Sequence, residues 1–314
     1  MRILHNTNID FLGKRKFFYI LSLSIIIIGF LTLYLKPIPL GIDFLGGTEL
    51  QIKFDKDISV GEIRKMMDDN GFPGMEIKTM GSDKYLLLRT PLQGEGQTVS
   101  DKIIQTLKAN LPDNNFEVQR IDKVGPKIGA ELRNKAFFAV IFSLIGILVY
   151  LSFRFQLIYA TGAVIALFHD VLITIAAVSI SDTLGMRLEL NQTMLAAFLT
   201  LIGFSVNDTV IVFDRIRENI RLFKNEDIES VMNKSVNATL SRTIITSGTV
   251  FLTVLVLFIF GGEVLAGFSF TFGIGIITGT YSSVFVASSI VVDWKKRIRT
   301  SSKIGGKAKL STAK

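Results

Sequence analysis

The chain has 314 residues, 49% of them hydrophobic, and a mean hydropathy of +0.45. That is too apolar for an ordinary soluble domain, and the apolar residues gather in long runs, so the composition indicates a membrane protein. There is no cysteine, which excludes a disulfide framework, a thiolate metal site and a cysteine nucleophile. The net charge of +8, from 35 Lys and Arg against 27 Asp and Glu, is read as basic loops on the cytoplasmic side rather than as a nucleic-acid surface.

The first apolar run, 17–35, follows Lys14, Arg15 and Lys16. It is 19 residues long and is followed by Lys36-Pro37 instead of a small-residue cleavage site, so it reads as an uncleaved anchor. A hydrophilic segment, 36–135, comes next and reads as a small folded domain. Residues 48–54 alternate as a strand, Ser59 is expected to cap a helix running to about Asn70 with Ile63, Met66 and Met67 on one face, and 75–80 and 84–90 read as strands. A helix over 99–110 and a strand over 116–124 complete the order βαββαβ, which predicts an α+β, ferredoxin-like split unit.

Five further runs follow, near 136–153, 157–180, 191–213, 243–260 and 268–292, each able to span about 30 Å of hydrocarbon. The sequence therefore predicts six transmembrane helices with the α+β domain between the first and second. Arg2, Lys14, Arg15 and Lys16 mark the amino end (1–16), and Lys295, Lys296, Arg297 and Arg299 mark the basic tail (294–314). With Arg215, Arg217, Arg221 and Lys224 they put both termini in the cytoplasm and 36–135 in the periplasm. The charged stretch 214–235 is expected to be an amphipathic helix on the cytoplasmic surface, with Ile216, Ile220 and Phe223 toward lipid. The tail is expected to be disordered.

The chemistry sits in the last four runs. Asp170 shares a helical face with Ala163, Ala166, Thr174 and Ala177, so it should point into the bundle. His169, beside it, reads as a hydrogen-bonded packing residue, because a lone histidine is no metal site. Thr193, Ala196, Thr200, Gly203 and Asn207 form a small stripe with Asp208 on its edge. Arg242 leads a second stripe of Thr246, Thr249 and Thr253, and Gly275-x-x-x-Gly279 heads a third face as a close-packing motif. A charge at the centre of a membrane helix costs at least about 2.5–3.5 kcal/mol, so the carboxylates mark a proton or ion path. On depth alone Arg242 stays open between such a role and snorkelling to the interface. No nucleotide loop and no nucleophile–histidine pair is present, so the chain reads as a non-enzyme without a cofactor or metal.

Five motifs carry a resemblance. They are Gly41-Ile-Asp43-Phe-Leu-Gly46-Gly47, Val124-Gly125-Pro126, Gly203-Phe-Ser-Val-Asn207-Asp208-Thr209 continuing to Asn219, Asn237-Ala-Thr-Leu-Ser-Arg242-Thr243, and Gly279-Thr-Tyr-Ser-Ser283. In that order, with six spans and one outer domain, the chain resembles the SecD/SecF protein-export family. The small outer domain puts it on the SecF side. The resemblance implies an RND-type half that pairs with a SecD-like subunit, works with a SecYEG-type channel on a translocating preprotein, and couples proton flow to export. It also implies that Asp208 and Arg242 belong to the proton path. Asp170 has only its depth behind it, and Asn207 stands beside Asp208 in the motif. Gly41, Asp43, Gly46 and Gly47 read as turns where the chain leaves the membrane, and Gly125-Pro126 as the stop of a strand. Gly275 is expected at the interface with the SecD-like partner, and Asp208 and Arg242 are expected to meet, directly or through water. A non-conducting scaffold and half of a small-molecule exporter are the competing readings.

Overall fold

The computed structural model of the chain describes residues 7–91, 98–186 and 188–297. Its first helix, α1 (Arg15–Leu35), is a single apolar run. A short helix, α2 (Ile42–Leu45), leads into a domain of β1 (Gly47–Phe54), α3 (Val60–Asp69), β2 (Glu76–Met80), β3 (Ser82–Thr90), α4 (Thr98–Asn110) and β4 (Phe116–Val124). The strands form one antiparallel sheet in the order β2-β3-β1-β4.

Alternation decides what each strand face does. Leu50, Ile52 and Phe54 of β1, Ile77 of β2, and Leu86 and Leu88 of β3 point to one side. Ile63 and Met67 of α3 and Ile103 and Leu107 of α4 cover them. Each such buried side chain contributes roughly 1.5–3 kcal/mol. The other face carries Glu49, Gln51, Lys53, Lys78, Leu87 and Arg89, is largely polar, and among the described residues has no helix of its own domain on it. The expected cap is not made: Ser59 stands at the start of α3 without a side-chain capping bond, and that helix rests on its apolar face instead.

Five long helices follow: α5 (Pro126–Arg154), α6 (Leu157–Thr183), α7 (Gln192–Leu222), α8 (Ile228–Phe260) and α9 (Gly262–Ser282). The last passes through a π-helical stretch, Ser283–Ala287, and stays helical to Arg297. Among the described residues six helices are long and apolar enough to cross a membrane, and the chain is a multi-pass membrane protein. Helices α6, α7 and α9 form the buried interior, while α1, α5 and α8 lie around them.

The structure differs from the sequence expectations at several places. Pro126 does not merely end a strand. It occupies the first turn of α5, where its missing N–H costs nothing, and the helix begins well before the apolar run at 136. The stretch 214–235 is not a separate surface helix. Its first part is the end of α7 and its last part the beginning of α8, whose Asp227 side chain accepts from Glu229 N–H at 3.1 Å. Ile216 is fully buried between these helices instead of facing lipid, and Asn219 Nδ2 donates to Ser235 Oγ at 2.9 Å across the pair. The tail beyond Arg297 lies outside the described residues, while the residues just before it, Trp294 included, are helical.

Gly275-x-x-x-Gly279 does pack closely, but inside the chain. A Cβ at Gly275 would come within 2.7 Å of Leu201 Cδ1, and one at Gly279 within 2.9 Å of Ser205 Cβ, both on α7. That face is used up by α9 on α7 and is not free for another subunit.

Candidate functional site

Asp170 lies in the middle of α6 and is 1% exposed. Its small-residue face lets α7 and α9 approach, and each supplies a hydroxyl. Ser205 Oγ donates to Asp170 Oδ2 at 2.6 Å and Ser282 Oγ to the same oxygen at 2.8 Å. The other oxygen, Oδ1, is 3.0 Å from His169 Nδ1. His169 Nε2 is 2.8 Å from Ser22 Oγ on α1, and the Tyr281 hydroxyl lies 3.3 Å from Nε2 and 3.2 Å from Ser22 Oγ. With Nδ1 protonated, the ring donates to Asp170 and Nε2 accepts from a hydroxyl. The π-helical stretch begins one residue after Ser282, a local irregularity of the kind found at functional sites. This cluster joins four helices through one carboxylate and one imidazole, groups able to exchange a proton.

Asp208, on α7, is also 1% exposed, and Ser247 Oγ of α8 donates to its Oδ2 at 2.9 Å. Arg242 is near enough for its charge to act on Asp208, but no direct ion pair joins them among the described residues. The expected direct meeting is thus absent within the chain, because Arg242 sits on the exposed side of α8. Asn207 is exposed on α7 as well. The α7 stripe of Ala196, Thr200, Gly203 and Asn207 and the α8 stripe of Arg242, Thr246, Thr249 and Thr253 are all exposed, so two polar, small-residue faces point outward instead of into the bundle. Thr246, Thr249 and Thr253 of that stripe satisfy themselves on their own helix; Thr246 Oγ1, for example, donates to the Arg242 carbonyl at 2.9 Å.

The partners Ser22, Ser205, Ser247 and Tyr281 were not singled out from the sequence, and Ser282 stood there only on the small-residue face of Thr271, Gly275 and Thr278. A serine in a membrane helix can bond its own preceding turn, so nothing in its type marks the ones that donate to a carboxylate. Ser205, Tyr281 and Ser282 do fall within the motifs noted above, which was the available signal. Asn237 has a different task. Its side chain accepts from Ile9 N–H and donates to Ile9 O, both at 2.9 Å, and so ties the amino-terminal segment to α8.

The glycine motif near α2 joins the sheet domain to the helices. Gly46 (φ +81°) and Gly47 (φ +147°) hold conformations that a side chain would strain, and a Cβ at Gly47 would lie 2.7 Å from Thr90 O. Gly41 N–H donates to Leu190 O at 2.9 Å, and Leu190 N–H to Pro39 O at 2.8 Å. Asp43 Oδ2 accepts from Gln192 N–H at 2.9 Å, placing a carboxylate at the amino end of α7, where the helix dipole favours it. Asp43 therefore does more than shape a turn. Lys36 Nζ donates to the Asp182 carbonyl at 2.9 Å and lies 2.7 Å from Asp182 Oδ2, off the hydrogen-bonding direction, as a plain ion contact.

A second attachment is ionic. Glu189, on the α6–α7 loop, pairs with both Lys78 and Arg89 on the polar face of the sheet. Arg89 Nη2 also contacts Glu49 Oε2 at 2.6 Å, and Lys78 Nζ contacts Glu76 Oε1 at 2.8 Å. Burial alone would raise the Glu76 pKa, but Lys78 and then Arg89 outweigh it and hold it below the usual carboxylate value. Burial alone would lower Lys78, but its bonds to Glu189 and Glu76 hold it above the ordinary lysine value. The Glu76 contribution is thus present above the ordinary glutamate pKa and is lost as pH falls through its lowered value. The Lys78 contribution is present below the ordinary lysine pKa and is lost as pH rises through its raised value. Glu76 and Lys78 therefore both stay charged across neutral pH.

Residues 103–297 match the family model described as protein export membrane protein SecD/SecF, C-terminal, and residues 33–58 match the SecD/SecF GG motif. The chain belongs to the SecD/SecF family. The GG-motif match contains Gly41, Asp43, Gly46 and Gly47, and the C-terminal match contains Asp170, Asp208 and Arg242. Within the family, the chain is 45% identical to the protein translocase subunit SecF of Calditerrivibrio nitroreducens, over 92% of this chain and 95% of that protein. It is 43% identical to the SecF subunit of Rhodothermus marinus, over 95% of this chain and 96% of the relative. The fold is similar to the crystal structure of SecDF, a translocon-associated membrane protein from Thermus thermophilus, with a TM-score of 0.80 and 33% identity. That match covers 93% of this chain but 39% of the SecDF chain.

Proposed function

We propose that this chain is a SecF-type subunit of a bacterial preprotein translocase that couples proton flow across the inner membrane to late, ATP-independent steps of export. In this reading its partners are a SecD-like subunit, a SecYEG-type channel and the preprotein. The observation that carries the reading is the position of Asp208. It is a buried carboxylate immediately behind two exposed polar stripes, one with Asn207 and the other with Arg242. Thr, Asn, Gly and Arg on a lipid-facing surface are unfavourable, whereas against the helices of another subunit they allow close approach and hydrogen bonding. The SecD-like half thus completes the site by covering α7 and α8, and the proton passes Asp208 and Arg242 at that seam. Asp170 with His169 is the second carboxylate of the relay. Its hydroxyl partners on α7 and α9 fix the helix that carries Asp208.

The sheet domain, of ferredoxin-like order, lies in the periplasm in this reading. The bundle end away from it carries Arg15, Arg154, Arg217, Lys295 and Lys296, which the positive-inside rule assigns to the cytoplasm. Tyr85→Cys in this cysteine-free chain should react with an impermeant maleimide added to intact cells, and Lys224→Cys only after permeabilisation. The reverse pattern contradicts the orientation.

Pairing is tested at Gly203. A Cβ there meets nothing within 4 Å of the chain itself, so Gly203→Leu leaves the subunit intact. It should nevertheless lower copurification of a SecD-like partner with the tagged chain, by about tenfold if it removes one close helix contact worth about 1.4 kcal/mol. Unchanged copurification would remove α7 from the interface.

A further inference from the structure

The sheet domain is held to the helices on two sides, and the two attachments differ in kind. On the β1–β4 side it is anchored by the chain itself. There α2 precedes β1, α5 follows β4, and the backbone bonds of Gly41 and Leu190 and the cap from Asp43 to α7 fix the root. On the β2–β3 side, Lys78 and Arg89 meet Glu189 of the α6–α7 loop. Between the polar sheet face and the helix ends lies a cleft of about 800 Å³, lined by Gln51, Leu87 and Arg120 from the sheet and by Phe258 and Val264 from the α8 and α9 ends.

The charges favour release over a permanent weld. Arg89 and Lys78 already have Glu49 and Glu76 as partners within the sheet. If the sheet moves away, neither cation is left alone, and Glu189 alone loses its partners and gains water. A buried pair that strands a charge on breaking resists opening, whereas this one does not strand a cation. The positive-φ pair Gly46-Gly47 lies at the root, where a tilt would turn. The loop that carries Glu189 runs through Leu190 and Asn191 directly into α7, the helix of Asp208.

We propose that Glu189 is a releasable latch that closes the sheet domain over this cleft and ties its position to α7. The latch rests on the proposed function for its timing, but its geometry can be tested without translocation. The experiment measures the labelling rate of Gln51→Cys by an impermeant maleimide in the assembled complex, without and with a proton gradient. Opening the latch by Glu189→Gln removes charged hydrogen bonds of about 1.5–3 kcal/mol, so labelling without a gradient should rise at least about tenfold. Lys78→Gln should act in the same direction. Glu189→Asp, which keeps the carboxylate opposite Lys78 and Arg89, should label more slowly than Glu189→Gln, which a merely structural defect would not do. An unchanged rate in Glu189→Gln, or equal labelling of Glu189→Asp and Glu189→Gln, overturns the latch. A rate that answers to Glu189→Gln but not to the gradient supports the latch and counts against the proton-coupled reading instead.

Discussion

Gly279→Leu should cost the chain its packed bundle. The Cβ alone would lie 2.9 Å from Ser205 Cβ and 3.4 Å from Ser205 Cα, atoms fixed to the α7 backbone that cannot swing away. The remaining leucine carbons must displace α7 from α9. Overpacking of this kind costs roughly 1–3 kcal/mol, and here the displacement also breaks the hydrogen bond from Ser205 to Asp170. The variant should melt well below the parent in detergent, followed as loss of the monodisperse peak after heating. Gly203→Leu, the same exchange on the open face of α7, should melt with the parent. Equal melting of both variants would mean that α7 and α9 are not packed as described.

Much of the fold could be read from the sequence, because it is written in periods and lengths. The strand at 116–124 has the bounds expected from its alternation, and six apolar runs become six spans because lipid leaves few other options. What could not be read was direction around each helix. Thr200, Gly203 and Asn207 form one stripe, and Gly275, Thr278 and Ser282 another, yet the first faces outward and the second is buried. Period alone assigns a face to a helix but does not say which neighbour takes it. The same limit put Gly275 at a subunit interface, where the structure has Leu201. The ends of the helices were misread for a different reason. Charged residues suggested that the span stops near 213, but Ile216 and Asn219 continue the packing of α7 beyond the apolar run. Glu189 was silent in the sequence, because its partners Lys78 and Arg89 are about a hundred residues away and only the docking of the sheet brings them near.

Asp208→Asn should abolish the stimulation of preprotein translocation by a proton gradient while leaving the complex assembled. Asparagine keeps the shape and still accepts from Ser247, so the packing of α7 on α8 is preserved. It cannot release and regain a proton, and Asp208 is the buried titratable group next to the exposed Arg242 and Asn207. Each proton crossing 100 mV carries about 2.3 kcal/mol, and a relay without its carboxylate delivers none of it. A pure scaffold would be indifferent to the exchange. The measurement that bears most directly on this is translocation of a preprotein into membrane vesicles holding the complete complex, compared with and without a proton gradient, for the parent and for Asp208→Asn. The account predicts that the gradient-dependent part disappears in the variant and the gradient-independent part remains. Full stimulation of Asp208→Asn by the gradient would contradict it and leave the aspartate as a packing residue of a scaffold.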